Sequence, residues 1–296
     1  MAAVILLTGA TGTVGSALLR RLVAVGRPVR CLVREPKRLG AERVRVQIAL
    51  GDLADPTSFR NALRGVDTVV HLAASTRDQP RGSIEELNAM ATLRLVRAAE
   101  RSSAESFLFF SAIGASLQSP TRFFRTKALA RHAVESAELN TTVFSASIIY
   151  APGDPWLKLL ERFSYLPAIP VAGSGASVFQ PIWAEDAADC VMAALERDGG
   201  IQRREFELAG PQKLSYDQIV RIALRSRGRR RRLLHTPMPV VRTSLRALER
   251  VTGGTTFATP EEAELMEEAM PSRRGTADAE SLGVNPLRMS AVLGAP

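Results

Sequence analysis

The fold is decided by residues 3–15, which read AVILLTGATGTVG. The apolar run that opens this stretch predicts a buried parallel strand, and the residues that follow it predict an amphipathic helix. Between the two, Gly9 permits a tight turn, Gly12 lets the backbone approach a pyrophosphate, and Gly15 allows close helix packing. The helix N-terminus supplies unpaired N–H groups and partial positive charge for phosphates. We therefore predict a dinucleotide site whose loop ligands are Gly9, Thr11, Gly12, Thr13 and Val14.

The pattern of a strand followed by a helix repeats along the first half of the chain. Further strands are predicted at 29–34, 44–50, 66–74 and 106–112, and further helices at 57–63 and 84–100. This alternation predicts an α/β fold with a doubly wound, parallel Rossmann sheet. A Pro- and Gly-rich stretch after Tyr150 predicts a smaller C-terminal domain. The predicted division is a nucleotide-binding domain at 1–152, to which 178–210 returns, and a smaller substrate or partner domain at 153–177 and 211–296.

Composition places the chain among ordinary globular proteins. It has 296 residues, 46% of them hydrophobic, and its 39 basic and 30 acidic residues give a formal charge of +9. No run approaches the roughly 20 apolar residues of a membrane span, and the opening MAAVILLTG lacks the basic segment of a signal peptide. We therefore expect a cytoplasmic protein, with a peripheral position at the inner face of the membrane as the alternative. Two cysteines and three histidines without metal-ligand spacing predict no metal site.

The end of the second strand predicts which nicotinamide nucleotide binds. An acidic residue there would accept hydrogen bonds from the ribose hydroxyls of NAD(H), but this chain has Arg34. A guanidinium fits a 2′-phosphate, and Lys37 and Arg38 are close in sequence, so NADP(H) is preferred over NAD(H). Binding of NAD(H) stays open, because Glu35 follows directly and because arginine is common in this chain, where only four of the 39 basic residues are lysine.

Several motifs resemble the short-chain dehydrogenase/reductase superfamily in its extended and atypical branches, and together they cover most of the chain. TGATGTVG is similar to the TGxxGxxG loop, Gly51-Asp52-Leu53 to the adenine-contacting GD motif, and HLAA at 71–74 to the segment beside the nicotinamide ribose. IIYAPGD at 148–154 is similar to the IIYGPGD turn, and Asn88 in the long helix also fits. The further cofactor ligands that this resemblance implies are Asp52, Leu53, Ala73, Ala74, Ser111, Lys127, Ile149 and Tyr150.

One catalytic group of the superfamily is missing. Active members carry Tyr-x-x-x-Lys, in which the tyrosine exchanges a proton with the carbonyl or alcohol and the lysine binds the ribose. Here residues 123–127 read FFRTK, so Phe123 stands at the tyrosine position while Lys127 is kept. A phenyl ring has no proton to give, and loss of a general acid lowers a rate by about 10² to 10⁴. The catalytic candidates are then Lys127 and Ser111, although another register of the strand end puts Ala112 at the serine position.

Within the superfamily, two stretches are similar to the group related to the nucleotide-binding accessory subunit of respiratory complex I. They are SAIGAS at 111–116 and SVFQPIWAEDAADCV at 177–191, and the helix that contains FFRTK at 123–127 carries the same resemblance. This resemblance implies tight NADPH binding without evident turnover, and a C-terminal part that contacts partners or a membrane.

The second half of the chain carries further patterns. RSRGRRRR at 225–232 is a basic run that would contact phosphates or form a solvated loop. Residues 238–251 predict an amphipathic helix with a basic flank, suited to an anionic membrane surface, to a protein partner or to its own domain. A pocket between the two domains would be apolar and would take a hydrophobic small molecule, unless the same residues are core. Its predicted lining is Pro152, Trp156, Leu157, Phe163, Tyr165, Leu166 and Trp183.

Three functions are therefore open. The first is an NADP(H)-binding protein that is weak or silent in catalysis and has a structural or sensing role. The second is an NADPH-dependent oxidoreductase acting on a hydrophobic carbonyl or quinone-like substrate, with the proton from another donor such as Ser111 or Tyr150. The third is a nucleic-acid or regulatory binder that uses Arg225 to Arg232. Because no aromatic residues interleave these arginines, nucleic acid is not an expected partner.

Overall fold

The computed structural model describes residues 3–196, 204–252 and 258–294. Its strands are β1 (Ile5–Thr8), β2 (Val29–Val33), β3 (Gln47–Leu50), β4 (Thr68–His71), β5 (Ser106–Ala112), β6 (Asn140–Ala146), β7 (Ile149–Tyr150), β8 (Ala168–Ala172), β9 (Val178–Phe179), β10 (Ile182–Trp183), β11 (Arg204–Leu208), β12 (Leu214–Ser215) and β13 (Arg232–Thr236). Its α-helices are α1 (Thr13–Ala24), α2 (Pro56–Phe59), α3 (Ala91–Glu100), α4 (Arg122–Glu135), α5 (Pro155–Phe163), α6 (Ala184–Glu196), α7 (Tyr216–Arg225), α8 (Met238–Thr252), α9 (Pro260–Leu265), α10 (Ala277–Ser281) and α11 (Met289–Leu293).

Seven strands form one parallel sheet in the order β11-β6-β5-β4-β1-β2-β3. The direction of the strand order reverses between β1 and β4, and ligands of such sheets bind at the reversal, outside the carboxyl ends of the strands. The predicted α/β class with a doubly wound parallel sheet is thus confirmed. Strand β11, which lies in the predicted return segment 178–210, pairs with β6 and forms the far edge of the sheet. The domain boundaries themselves stay predictions.

Helices cover both faces of the sheet, as a buried parallel sheet requires. On one face α1 and α6 pack together, burying Leu18 and Val191 among others. On the other face α2, α3 and α4 bury a second cluster that includes Leu95 and Ala130. A third cluster lies beneath the C-terminal segments and joins α5, α7 and β8 to Phe124 of α4. Much of the C-terminal part therefore packs beside α4, whereas α10 packs against β11 and adds Ala279 to the first cluster.

Three short strand pairs build the smaller part: β10 with β7, β12 with β9, and β13 with β8. Helix α7 begins with a capping box that Ser215 forms with Gln218. The helix predicted at 238–251 is α8, which packs on α9 but keeps most of its described side chains exposed. Within the described ranges, none of the helices combines the length and apolarity needed to cross a bilayer.

Several predicted elements differ from the structure. The strand predicted at 66–74 is only Thr68–His71, and the helix predicted at 57–63 is α-helical to Phe59 and 3₁₀ over Arg60–Leu63. The strand predicted at 44–50 is only Gln47–Leu50, and Pro36–Arg45 forms 3₁₀ turns instead. The reason is register: Gln47 pairs with Arg30 near the start of β2, so earlier residues have no neighbouring strand to pair with. The helix predicted at 84–100 begins with a π-helical turn at Glu85–Met90.

The imidazole of His71 links three of these elements. It is fully buried, with Nδ1 2.6 Å from the Thr8 hydroxyl at the end of β1 and Nε2 2.9 Å from the Thr92 hydroxyl of α3. Burial, with a smaller contribution from the charge of Lys127, lowers the pKa of His71 to about 3. The ring is therefore neutral at physiological pH and acts as a core histidine that joins β1, β4 and α3.

Acidification should destabilise the fold through this histidine. Because the folded-state pKa lies below the ordinary 6.5, the stabilisation is complete above that value and is lost as the pH falls towards 3. At pH 4.5 the loss from one such group is about 2 to 3 kcal/mol. Urea unfolding of wild type and His71→Gln at pH 7 and 4.5 measures it, since glutamine does not titrate and the variant should lose correspondingly less. The exposed His132→Gln is the control, and equal acid losses in all three proteins would contradict a neutral buried ring.

Candidate functional site

The glycine-rich loop between β1 and α1 is built from backbone contacts that only glycine allows. Gly9 has φ +74°, and a Cβ there would lie 2.6 Å from the backbone nitrogen of Ala73. A Cβ on Gly15 would lie 2.0 Å from the carbonyl oxygen of Gly9. Gly12 donates its N–H to that same oxygen at 2.9 Å and is the N-cap of α1, where it has no side chain to cap the first turn. The first-turn N–H groups are thus left for an anion.

This loop forms one wall of a cleft of about 320 Å³. Eight of the predicted ligands line the cleft: Gly9, Thr11, Gly12, Arg34, Asp52, Leu53, Ala73 and Ala74. The other seven are not among the described residues that line it: Thr13, Val14, Lys37, Ser111, Lys127, Ile149 and Tyr150. The cleft therefore gathers the predicted phosphate and adenosine ligands, while the assignment of each residue to the cofactor stays a prediction.

Lys37 is the clearest departure from the sequence interpretation. It lies in the 3₁₀ segment Pro36–Arg45 with an exposed side chain, and it is Arg38, one residue later, that lines the cleft beside Arg34. A tight turn after β2 carries the chain away from the sheet, so sequence proximity to Arg34 does not bring Lys37 to the cleft.

The segment Ser75–Ser83, here called the strap, was not predicted as part of the site. It follows β4 and folds back on itself through paired backbone hydrogen bonds of 3.0 Å between Gln79 and Gly82. The Gln79 side chain lines the cleft and accepts from Arg34 at 3.3 Å. Arg81 pairs with Asp52, also at 3.3 Å. The strap thus engages two of the predicted adenosine ligands. Its sequence has no motif to signal this, because the contacts join residues distant along the chain.

The other side of the strap contacts α9, in the C-terminal part of the chain, and the start of α4. Glu262 of α9 accepts from the Thr76 hydroxyl at 2.9 Å and pairs with Arg77 at 2.9 Å. Arg122, at the start of α4, pairs with Asp78 at 2.9 Å and with Glu85 at 2.6 Å. The Arg122 guanidinium lowers the pKa of both carboxyl groups, that of Glu85 to about 2. The strap is therefore a polar bridge between the cleft and α9.

Asn88 anchors the base of the strap. Its amide oxygen accepts from the Ser75 backbone N–H at 2.8 Å, and its amide nitrogen donates to the Ser75 carbonyl at 2.8 Å and to the Thr126 hydroxyl at 3.2 Å. Asn88 lies in the π-helical turn, and its side chain is buried. The buried amide therefore ties α4, which carries Lys127, to the start of the strap.

Lys127 is buried without a counter-ion. Its ammonium donates to the Phe110 carbonyl at 2.7 Å and lies 4.9 Å from the ring centre of Phe109 and 5.9 Å from that of Phe123. The described residues include no carboxylate that pairs with it. Desolvation lowers the pKa of Lys127 from 10.5 to about 7. Its neighbour at the tyrosine position is a phenyl ring, so the pair has no phenolic proton.

The hydroxyl groups predicted near Lys127 are buried. Ser111 pairs in register with Ser145 across β5 and β6, and neither hydroxyl has a hydrogen-bond partner among the described residues. The Tyr150 hydroxyl is likewise unpartnered within the described ranges, and burial raises its pKa, with a smaller contribution from Asp186. Ala112 lies in the third core cluster. Buried hydroxyls without partners are unusual in folded proteins and mark a place where a polar group could be received.

The predicted apolar lining does not form one surface. Trp156, Leu157, Phe163 and Trp183 pack against the third core cluster, which favours their interpretation as core. Pro152, Tyr165 and Leu166 are exposed, and the last two line a different, shallow basin beside Arg230. The prediction of a common pocket is therefore wrong for Tyr165 and Leu166, because the turn after α5 directs them to the surface.

The cleft is suited to an anionic nucleotide. It offers uncapped helix N–H groups at one end, Arg34 and Arg38 at the other, and between them the small residues Ala73 and Ala74, which leave space along the sheet edge. As to a metal, the described ranges contain no cluster of three or more His, Cys, Asp or Glu side chains that could hold an ion.

Comparisons with known proteins support NAD(P)(H) binding. A family model described as NAD(P)H-binding matches residues 9–149. The chain is 27% identical over 249 residues to the mitochondrial NADH dehydrogenase [ubiquinone] 1 alpha subcomplex subunit 9 of Arabidopsis thaliana, a match that covers 79% of this chain and 60% of that protein. It is 26% identical over 245 residues to the ceramide reductase of Caulobacter vibrioides, covering 81% of this chain and 76% of the reductase.

A solved structure supports the same fold. The crystal structure of a nucleoside-diphosphate-sugar epimerase from Staphylococcus aureus superposes with a TM-score of 0.78 at 17% identity, covering 98% of this chain and 99% of that chain. The resemblance inferred from the loop, the GD motif and the turn at 148–154 is thus confirmed at the level of family and fold. Residues 9–149 match the NAD(P)H-binding family, and the resemblance of the chain to atypical, epimerase-like short-chain dehydrogenases/reductases is supported over most of its length.

Proposed function

We propose that this protein binds NADP(H) tightly, is weak or silent in catalysis, and has a structural or sensing role. The observation that carries the proposal is the contrast between the two ends of the site. The loop around Gly12 keeps its uncapped N–H groups, whereas Phe123 stands 5.9 Å from the Lys127 ammonium, where a phenolic acid would be needed. A site that binds the nucleotide but has no tyrosine to protonate a substrate fits a bound, slowly reacting cofactor.

The preference for NADP(H) rests on the basic end of the cleft. Arg34 and Arg38 both line it. Among the described residues Arg34 is held only by a 3.3 Å contact to Gln79, which a 2′-phosphate would replace with a charge-assisted hydrogen bond. A single neutral amide is a weaker acceptor than a phosphate dianion. The arrangement therefore favours the phosphorylated nucleotide.

Nucleotide affinities test the binding site. Arg34→Ala should weaken NADPH binding about 10- to 100-fold, the equivalent of one hydrogen bond to a charged group, and should leave NADH binding nearly unchanged. Lys37→Ala removes a neighbouring charge that lies outside the cleft and should change neither affinity more than about twofold. Titration calorimetry with both nucleotides measures this, and Gly12→Asp should abolish binding of both. An equal loss in the Arg34 and Lys37 variants would refute the placement of the 2′-phosphate.

A sensing role is supported by the strap. Its contacts with Arg34 and Asp52 compete with the predicted adenosine contacts, and its other contacts reach Glu262 of α9. The ion pairs of the strap with Asp52 and Glu262 are partly exposed, so each contributes at most about 1 kcal/mol to stability. Replacing either of them with a contact to the nucleotide therefore costs little free energy. Nucleotide binding that displaces Gln79 or Arg81 would therefore change how firmly the strap holds α9.

Hydrogen exchange measures this coupling. Addition of NADPH should change the exchange of α9 amides in wild type, and Glu262→Gln should reduce that change while keeping NADPH affinity within about threefold, because it removes only a partly exposed ion pair. Glutamine can still accept from Thr259, so the cap of α9 is preserved. Glu264→Gln, which removes the α9 ion pair with Arg242 and leaves the strap alone, is the control. If the two variants respond alike, the strap does not carry the signal.

A reductase acting on a hydrophobic carbonyl or quinone-like substrate is the second candidate. It is supported by Lys127, whose pKa of about 7 allows the buried amine to exchange protons at neutral pH, and by the unpartnered hydroxyl of Ser111. The similarity to a ceramide reductase, whose name indicates a lipid substrate, points the same way. In this alternative the proton comes from one of these groups, from water or from the substrate.

Restoring the missing acid separates the two candidates. Phe123→Tyr should raise NADPH oxidation by hydrophobic aldehydes or quinones about 10²-fold or more over a wild type that is nearly silent. Phe123→Leu, which changes the ring but adds no hydroxyl, should stay silent. Absorbance at the reduced nicotinamide band gives the rates. Substantial turnover by wild type, lost in Lys127→Met and not raised by Phe123→Tyr, would instead establish the second candidate.

A further inference from the structure

The turn after α5 and the strand β13 form a basic, partly apolar surface away from the nucleotide cleft. Residues 165–167 and 230–232 together line a shallow basin. We call this surface, with the outward side of the β8–β13 pair, the arginine basin. In the sequence around it, residues 218–248 contain nine arginines and no aspartate or glutamate. The proposed nucleotide function uses none of these residues.

The floor of the arginine basin is formed by apolar side chains of the turn after α5, and two arginines hold this turn in place. Tyr165 is 69% exposed and Leu166 45% exposed. Arg231 donates to the carbonyl groups of Ser164 and Leu166 at 3.0 and 3.1 Å, and Arg229 stacks on the Tyr165 ring at 3.9 Å. Two of the arginines therefore serve to hold the turn, so that its apolar side chains point outward.

Two arginines at the edge of the arginine basin have no acidic partner among the described residues. Arg230 and Arg232 are exposed, and neither forms an ion pair with any of the described residues. Arg227, by contrast, pairs with Glu161 at 3.2 Å. Two guanidinium groups without an acidic partner among the described residues, beside an apolar floor, favour a ligand that combines anionic and apolar parts.

The apolar surface continues along the strand pair. Leu234 pairs with Pro170 in the parallel register, so the two side chains lie on one face, and both are exposed, Leu234 by 60%. Arg232 precedes Leu234 by two residues and lies on the same face. The arginines and the exposed apolar side chains are thus interspersed on one surface and not segregated on two.

We propose that the arginine basin docks the protein on an anionic phospholipid membrane. Arg230 and Arg232 would contact lipid phosphates, while Tyr165, Leu166 and Leu234 would enter the interface between headgroups and acyl chains, where aromatic and aliphatic side chains are favoured. A single-stranded nucleic acid fits less well, because Tyr165 is the one aromatic residue among the described residues that line the basin and Arg229 already covers one of its faces, so successive bases have no row of rings to stack on. Phosphodiester chains would also leave Leu166 and Leu234 in water.

Vesicle co-sedimentation tests the proposal. The full-length protein should bind vesicles of phosphatidylglycerol and phosphatidylcholine in equal parts and should not bind phosphatidylcholine alone. Arg230→Gln/Arg232→Gln should weaken binding about 25-fold, that is about fivefold for each arginine removed near an anionic surface. Arg60→Gln/Arg64→Gln removes the same charge from exposed positions on the nucleotide-binding domain and should leave binding within about twofold. Equal losses in the two double variants would reduce the effect to net charge and overturn the proposal.

Substitution of the apolar residues of the arginine basin distinguishes a membrane from a soluble polyanion. Leu166→Ser/Leu234→Ser should weaken vesicle binding severalfold while leaving retention on heparin and binding to single-stranded RNA unchanged. A variant that loses vesicle and RNA binding equally, or a wild type that binds RNA and not vesicles, would assign the surface to nucleic acid and contradict the proposal. Because these residues lie outside the cleft, NADPH affinity should be unchanged in every variant, which also checks that each is folded.

Discussion

The close approach of three backbone segments at the reversal of strand order is the constraint on which the site depends. A side chain on Gly15 would collide with the Gly9 carbonyl, and one on Gly9 would collide with Ala73. These contacts bring the start of α1 against the end of β1 and against the segment after β4. Only with this spacing do the first-turn N–H groups of α1 face the cleft, and only then do small residues at 73 and 74 form its opposite wall. Steric exclusion at these glycines, together with the backbone hydrogen bond from Gly12 to Gly9, therefore aligns the phosphate end of the site.

The strap adds a polar layer to this steric frame. It joins the cleft, the start of α4 and α9 through ion pairs and hydrogen bonds that are partly exposed to solvent. Partly exposed ion pairs contribute little to stability, so the network is poorly suited to holding the fold together. It is better suited to rearrangement, because each contact can be exchanged for another of similar free energy. Asn88, whose amide is buried and makes three hydrogen bonds, keeps the base of the strap in place while its outer part changes partners.

Local patterns predicted the fold well and the site only in part. The glycine loop could be identified because its chemistry lies within eight consecutive residues, and Arg34 could be placed because it ends a strand. Lys37 could not be excluded, since a 3₁₀ turn and not a strand follows β2. Gln79 and Arg81 gave no signal, because their partners Arg34 and Asp52 lie far away in sequence. The apolar residues of 152–183 were ambiguous for another reason. Hydrophobicity alone does not distinguish a tryptophan packed on the core, such as Trp156, from an exposed tyrosine such as Tyr165, which has Arg229 stacked on one face of its ring.

The chemistry of the site depends on the burial and protonation of Lys127. Desolvation, with no carboxylate paired to it among the described residues, lowers its pKa to about 7, which for a fully buried amine corresponds to a destabilisation on the order of 5 kcal/mol. The destabilisation is complete below about pH 7 and fades as the pH rises towards 10.5, because the unfolded chain then holds more protons than the folded one. A bound anionic nucleotide near this ammonium would favour its charged form, so that binding and proton uptake would be linked. Phe123 supplies no second proton to complete a reduction, and the linked proton would then report occupancy of the site rather than advance a reaction. A buried lysine beside a phenyl ring is thus consistent with a protein that registers its nucleotide more readily than it consumes it.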